Sequence, residues 1–234
     1  MQTAIDPKQY ETVVAAGVPM IDRNGSPFSA NVDCWQSMAE LLPKNPSPEA
    51  GRKILSDAGW TYANGTLTKD GQPLTIRLVA SPTAGSAGPE FLVNSWNQMG
   101  ADAKWTTPTF TLYAADLYDG KFEASVTGAS GFHKLPDPLA LRYTGEPSPK
   151  GINYFGMNDP ALDNLAQQAE SAAGADVCKY WVQYQQRLVT EHNMIGFADV
   201  TANTFSRGLD VSMAYHAGIP RDFNPIMIRK LASN

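Results

Sequence analysis

The sequence predicts an α/β fold, a mixed sheet flanked by helices. Three observations carry this. Apolar residues alternate over 74–80, 101–105 and 122–126, the period of a strand. Helical spacing fills the gaps between these runs, at 91–99 and 109–118. Strand–helix–strand–helix order then requires crossover helices packed on a sheet.

The elements follow in order. Asp6 can cap a first helix and Pro7 suits its first position, with Tyr10, Val13 and Val14 as its stripe and Gly17 as its stop. Residues 18–46 read as a long irregular stretch with turn formers at Asn24-Gly25 and Pro27. Ser47-Pro48-Glu49 starts a helix whose apolar face is Ile54, Leu55 and Ala58, and Gly59 stops it. Asp70-Gly71 is a hairpin signal between 66–68 and 74–80, where Leu74, Ile76, Leu78 and Ala80 share one face. The next helix runs through Trp96 and Met99 to Gly100, and a strand carries Ala103 and Trp105. In the helix at 109–118, Leu112, Ala115 and Leu117 are expected inward. Asp159-Pro160 opens a helix, and a longer one carries Val177, Trp181, Tyr184 and Leu188 at helical spacing. The last forty residues, from Met194, favour short strands and loops.

Composition bounds the function. Of 234 residues, 43% are hydrophobic and 18% charged, a globular composition. With 18 Lys+Arg against 23 Asp+Glu and a net charge of -5, nucleic acid is excluded as the main partner. No run of 18 apolar residues spans a membrane. Met1-Gln2-Thr3-Ala4-Ile5 lacks the basic and apolar regions of a signal peptide, and the immediate entry into a helix reads as an excised domain.

No phosphate-binding loop, dinucleotide fingerprint, nucleophile elbow or zinc-binding helix motif occurs. His133, His192 and His216 are too dispersed for a metal site, so neither metal nor cofactor is expected. Asp22, Asn24 and Ser26 have the spacing of a calcium loop, but Pro27 stands where that loop needs Gly. Cys34 and Cys178 can pair or remain two buried thiols, and the sequence does not set their distance. Trp96 and Trp181 fall on apolar helix stripes and belong to a core. Trp35, in the irregular stretch, is the candidate platform for a ligand.

The order of motifs resembles a known family. It comprises the Ala4-Ile5-Asp6 helix start and Pro48-Glu49-Ala50 leading to Ala58-Gly59-Trp60. Asp70-Gly71-x-Pro73-Leu74, Trp96-x-x-Met99-Gly100-Ala101, and Tyr113 followed by Gly120-Lys121-Phe122-Glu123 come next. Pro136-Asp137-Pro138, Asn153-Tyr154, Asn158-Asp159-Pro160-Ala161-Leu162-Asp163 and Gln185-Gln186-x-Leu188 complete it. This resembles the C-terminal half of the dipeptide/oligopeptide-binding family (family 5) of ABC-transporter extracellular solute-binding proteins.

The resemblance implies one lobe of a two-lobed, periplasmic-binding-protein-like (type II) fold. Residues 1–193 would be the second, ligand-binding lobe, and 194–234 a segment returning toward a first lobe absent from this chain. It also implies an extracytoplasmic, often lipid-anchored, non-catalytic receptor. Its partners would be a peptide or oligosaccharide and a membrane permease. Dipeptide-binding members hold the peptide's amino group with an Asp before the Asp-Pro motif. Here residues 128–136 hold no carboxylate before Asp137 and carry His133 and Lys134 instead. The stretch matching the family's carboxylate-binding Arg is Gly85-Ser86-Ala87-Gly88, which has no cation. A zwitterionic dipeptide would leave both charged ends unpaired. Ligands gather outside the carboxyl ends of strands in open α/β sheets, which makes the loop 128–137 the expected wall. Ala129, Ser130, Phe132, His133 and Asp137, with Trp35, are the expected ligand contacts. A hydrolase using His133 with Asp137 or Glu146 is the alternative class, although no motif places such a pair.

Overall fold

The computed structural model describes residues 1–17, 20–106, 109–127, 136, 140–192, 194–200, 207, 209–216 and 219–230. The chain enters α1 (Pro7–Ala15), capped by the Asp6 side chain, which accepts from the Lys8 and Gln9 amides. Strand β1 (Met20–Gly25) follows, inside the stretch read as irregular. Its partner, β8 (Gly196–Val200), lies far along the chain and pairs with it antiparallel. Helix α2 (Pro48–Asp57) is capped by Ser47, whose hydroxyl accepts from Ala50 N. Strands β2 (Thr61–Ala63), β3 (Thr66–Lys69) and β4 (Gln72–Pro73) form a small antiparallel meander. The Asp70-Gly71 hairpin is therefore present but short. Past Leu74 the chain leaves it to become β5 (Thr75–Ala80), in a different sheet.

That sheet organises the molecule. Strand β5 is central, with β6 (Asp102–Thr106) on one side and β7 (Ala124–Val126) on the other, both parallel to it. Helix α3 (Ala87–Met99) connects β5 to β6, and α4 (Phe110–Tyr118) connects β6 to β7. Alternation along β5 sends Ile76 and Leu78 into a core with Leu92, Trp96, Met99 and Ala103. Val79 points the other way, onto Tyr113 and Leu117 of α4. Helices α3 and α4 thus cover opposite faces. Tyr113 and Leu117, four residues apart, are the inward pair of α4, whereas Leu112 is 57% exposed and Ala115 is exposed. Leu117 is inward as expected, whereas Leu112 and Ala115 are not: the helix is apolar on several sides, and packing against Val79 selects the Tyr113–Leu117 face.

A second core lies between α5 (Pro160–Ser171) and α6 (Asp176–Glu191). Leu162, Trp181, Tyr184 and Leu188 close over Phe28 and Val32 from the chain after β1. Cys34 and Cys178 are joined by a disulfide across 144 residues of sequence. Beyond β8, strands β9 (Leu209–His216) and β10 (Ile219–Lys230) pair antiparallel, longer elements than the sequence led one to expect. Among the described residues no helix is long and apolar enough to cross a membrane.

Candidate functional site at the carboxyl edge of the sheet

The strand order β6-β5-β7 makes a switch point. The chain leaving β5 turns to α3 on one face. The chain leaving β6 turns to α4 on the other. In open α/β sheets, ligands gather where such loops part, outside the carboxyl ends of the strands.

The form of these loops follows from local chemistry. Ser81 N donates to Val126 O at 2.8 Å, lacing the loop after β5 over the end of β7. Ala84 N donates to Ser81 O at 2.8 Å, and Ser81 Oγ lies 2.9 Å from Thr83 Oγ1. The turn ends at Gly85, whose φ of 67° suits a residue without Cβ. In the loop after β6, Thr109 caps α4, its hydroxyl accepting from Leu112 N at 3.4 Å. Phe110 then stands 69% exposed at the helix start. One turn on, Tyr113 is buried at 6% exposure against Val79 and Leu117. The Tyr113 Oη and Ser125 Oγ atoms are buried without a hydrogen-bond partner.

Of the residues expected to touch ligand, Ala129, Ser130, Phe132, His133 and Asp137 lie outside the described residues. Trp35 is half-buried beside the disulfide-bonded Cys34 and packs on the helical core, with its Nε1 buried and unpartnered. Sequence reasoning missed Phe110 and Tyr113 as site candidates. Finding them needed the strand order, which sets which loops face one another.

Two other features are available for chemistry. An open cavity of about 520 Å³ borders the disulfide, lined by Asp33, Pro136, Glu170, Val177 and Trp181. At the start of α5, Asp159 Oδ1 caps the helix, while Oδ2 accepts from Arg187 Nε at 2.5 Å and lies 2.8 Å from His192 Nε2. The Arg187 guanidinium holds the Asp159 carboxyl far below the usual carboxylate range, with His192 adding to it against the opposing effect of burial. A carboxylate so fully engaged latches α5 to the end of α6 and is a poor general base. Among the described residues no group of three or more His, Cys, Asp or Glu is placed to hold a metal ion.

No protein-family model matches the sequence, and no curated protein matches it. Solved structures do. A substrate-binding protein from Microbacterium hydrocarbonoxydans, complexed with 4-hydroxybenzoate hydrazide, is similar over 98% of this chain and 44% of its own, at 19% identity and a TM-score of 0.69. The oligopeptide-binding protein AppA from Bacillus subtilis, in complex with a nonapeptide, is similar over 99% of this chain and 46% of its own (20% identity, TM-score 0.67). NikA from Brucella suis, in complex with Fe(III)-EDTA, is similar over 85% of this chain and 40% of its own (22% identity, TM-score 0.66). The chain spans less than half the length of each of these proteins. It has the mixed α/β fold of a substrate-binding-protein lobe.

Proposed function

We propose that this chain is the ligand-binding lobe of a solute-binding protein that captures a peptide or related small solute and delivers it to an ABC permease. An oligosaccharide is the alternative cargo. The observation that carries the reading is the similarity of almost the whole chain to under half of proteins solved with small ligands bound. The carboxyl edge of an open α/β sheet is the place where ligands gather, which supports a site of this kind. In this reading residues 1–193 form the lobe and 194–234 run back toward a first lobe. The loop at 128–137, with Ala129, Ser130, Phe132, His133 and Asp137, and also Trp35, contributes contacts. The Cys34–Cys178 bond favours an extracytoplasmic place of work, where disulfides persist. A lipid anchor belongs to the same reading.

Capture between two lobes supplies contact area and expels water that one lobe cannot. Calorimetry with a nonapeptide and a neutral oligosaccharide should show binding by the full-length protein and weak or no binding by this chain alone. Equal affinity of the two would mean that one lobe suffices. Turnover of either probe would replace capture by catalysis.

A further inference from the structure

The loops after β5 and β6 carry hydroxyls at the carboxyl edge of the sheet. Residues 80–86 carry Ser81, Thr83 and Ser86, and residues 109–113 carry Thr109, Thr111 and Tyr113, with no Asp, Glu, His, Lys or Arg among these residues. The charged pairs of the same sheet, Arg77–Glu123 and Lys104–Asp102, lie nearer the amino ends of its strands.

Two hydroxyls near the carboxyl edge are anomalous, Tyr113 of α4 and Ser125 of β7. Val79 and Ser125 are register partners in the parallel pairing of β5 and β7, so they share the face that α4 covers. Tyr113 packs on Val79. Side chains on a helix lean toward its N-terminus, which for α4 is the carboxyl edge of the sheet. Val79 is the penultimate residue of β5. Tyr113 Oη and Ser125 Oγ therefore lie beneath α4, toward the carboxyl edge of the sheet, and neither has a hydrogen-bond partner although both are buried. An unpaired buried hydroxyl costs folding free energy, which a ligand's polar atom can restore.

We propose that Tyr113 and Ser125 are specificity-determining residues that receive an uncharged, hydrogen-bonding part of the ligand, an interior peptide unit or a sugar, beside the exposed Phe110 ring. Among residues 80–86 and 109–113, free ammonium and carboxylate ends find no counter-charge. Hydroxyls both donate and accept, so they match neutral amides and alcohols alike. The inference rests on the solute-capture reading and specifies its ligand chemistry.

The test uses the full-length protein with three probes: N-acetylated, C-amidated tetraalanine, neutral cellotetraose and zwitterionic dialanine. One or both neutral probes should bind more tightly than dialanine, and the preferred one identifies the source of the neutral group. Tyr113→Phe and Ser125→Ala should each weaken that probe about five- to tenfold, the worth of a neutral hydrogen bond. Neither variant should lower the unliganded Tm, because removing an unpaired buried hydroxyl relieves a cost. A Tm fall of several degrees in both would show hydroxyls engaged within the fold and overturn the inference. Undiminished binding by both variants, or tightest binding of dialanine, would overturn it while leaving solute capture standing. Failure of all three probes to bind would count against solute capture itself, and the inference would fall with it.

Discussion

The sheet core and the helical core solve the same problem by different means. In the sheet core Ile76, Leu78 and Ala103 lie on strands whose amides and carbonyls are paired by the parallel ladder. Apolar alternation then suffices. In the helical core, Phe28 and Val32 come from chain that belongs to no strand or helix. Its polar groups need side-chain partners. Gln185, fully buried on α6, accepts from Ser26 Oγ at 2.7 Å and donates to Cys34 O at 2.8 Å. Asp199 on β8 accepts from Arg23 Nε and from Ser29 Oγ, each at 2.7 Å. The disulfide adds a covalent tie. A segment without a ladder is held where individual side chains hold it, so single substitutions should reach further there than in the sheet core.

The largest test of that contrast is the disulfide. A closed loop of 144 residues constrains the unfolded chain by about 5 kcal/mol in the chain-entropy account. Cys34→Ser with Cys178→Ser should lower Tm by about 10–20 °C in thermal unfolding. Native-state hydrogen exchange should speed up first around 26–35 and in α6, and least at 76–80. Uniform loss across both regions would erase the distinction between the two cores.

The two regions should also answer pH in opposite senses. Asp159 ties the helical core. Its carboxyl is lowered in the folded state, so its contribution is complete above the ordinary value near 3.9 and is lost as pH falls toward the folded value. Asp159→Ala should cost about 1–2 kcal/mol at pH 7 through the lost cap, with the gap to the parent narrowing in strong acid. Glu11 acts on the side of the sheet core. Burial, then the Asp22 carboxylate beside it, push its carboxyl up to about 7. A raised carboxyl binds its proton more tightly in the folded state. Its relative stability is present below the ordinary value and lost as pH rises through about 7. Glu11→Gln, the smallest effect expected, should raise Tm at pH 8 and leave it nearly unchanged at pH 4. An equal gain at both pH values would point away from the Glu11–Asp22 pair.

Local chemistry was legible in the sequence. The caps at Asp6, Ser47 and Asp159 are read from one to three residues, and the structure uses all three. Gly100, with φ of 111°, stops α3 as a left-handed residue. Trp96 and Trp181 are core residues, as their stripes required. What escaped is what depends on distant partners. Strand β1 has little pattern of its own and exists through β8. The inward face of α4 is chosen by Val79, and the burial of Gln185 by Ser26 and Cys34. The site divides in the same way. Carboxyl ends could be expected to hold ligand, but which loops face one another there follows from an order of strands that spacing does not encode.

In the proposed reading the ligand binds at the carboxyl edge of β6-β5-β7 and not in the cavity beside the disulfide. Hydrogen exchange of the full-length protein, with and without a probe shown to bind by calorimetry, tests it most directly. Slower exchange at 81–86 and 109–113, with 170–178 unchanged, is the predicted result. Protection confined to 170–178 would move the site to the disulfide cavity and contradict the account.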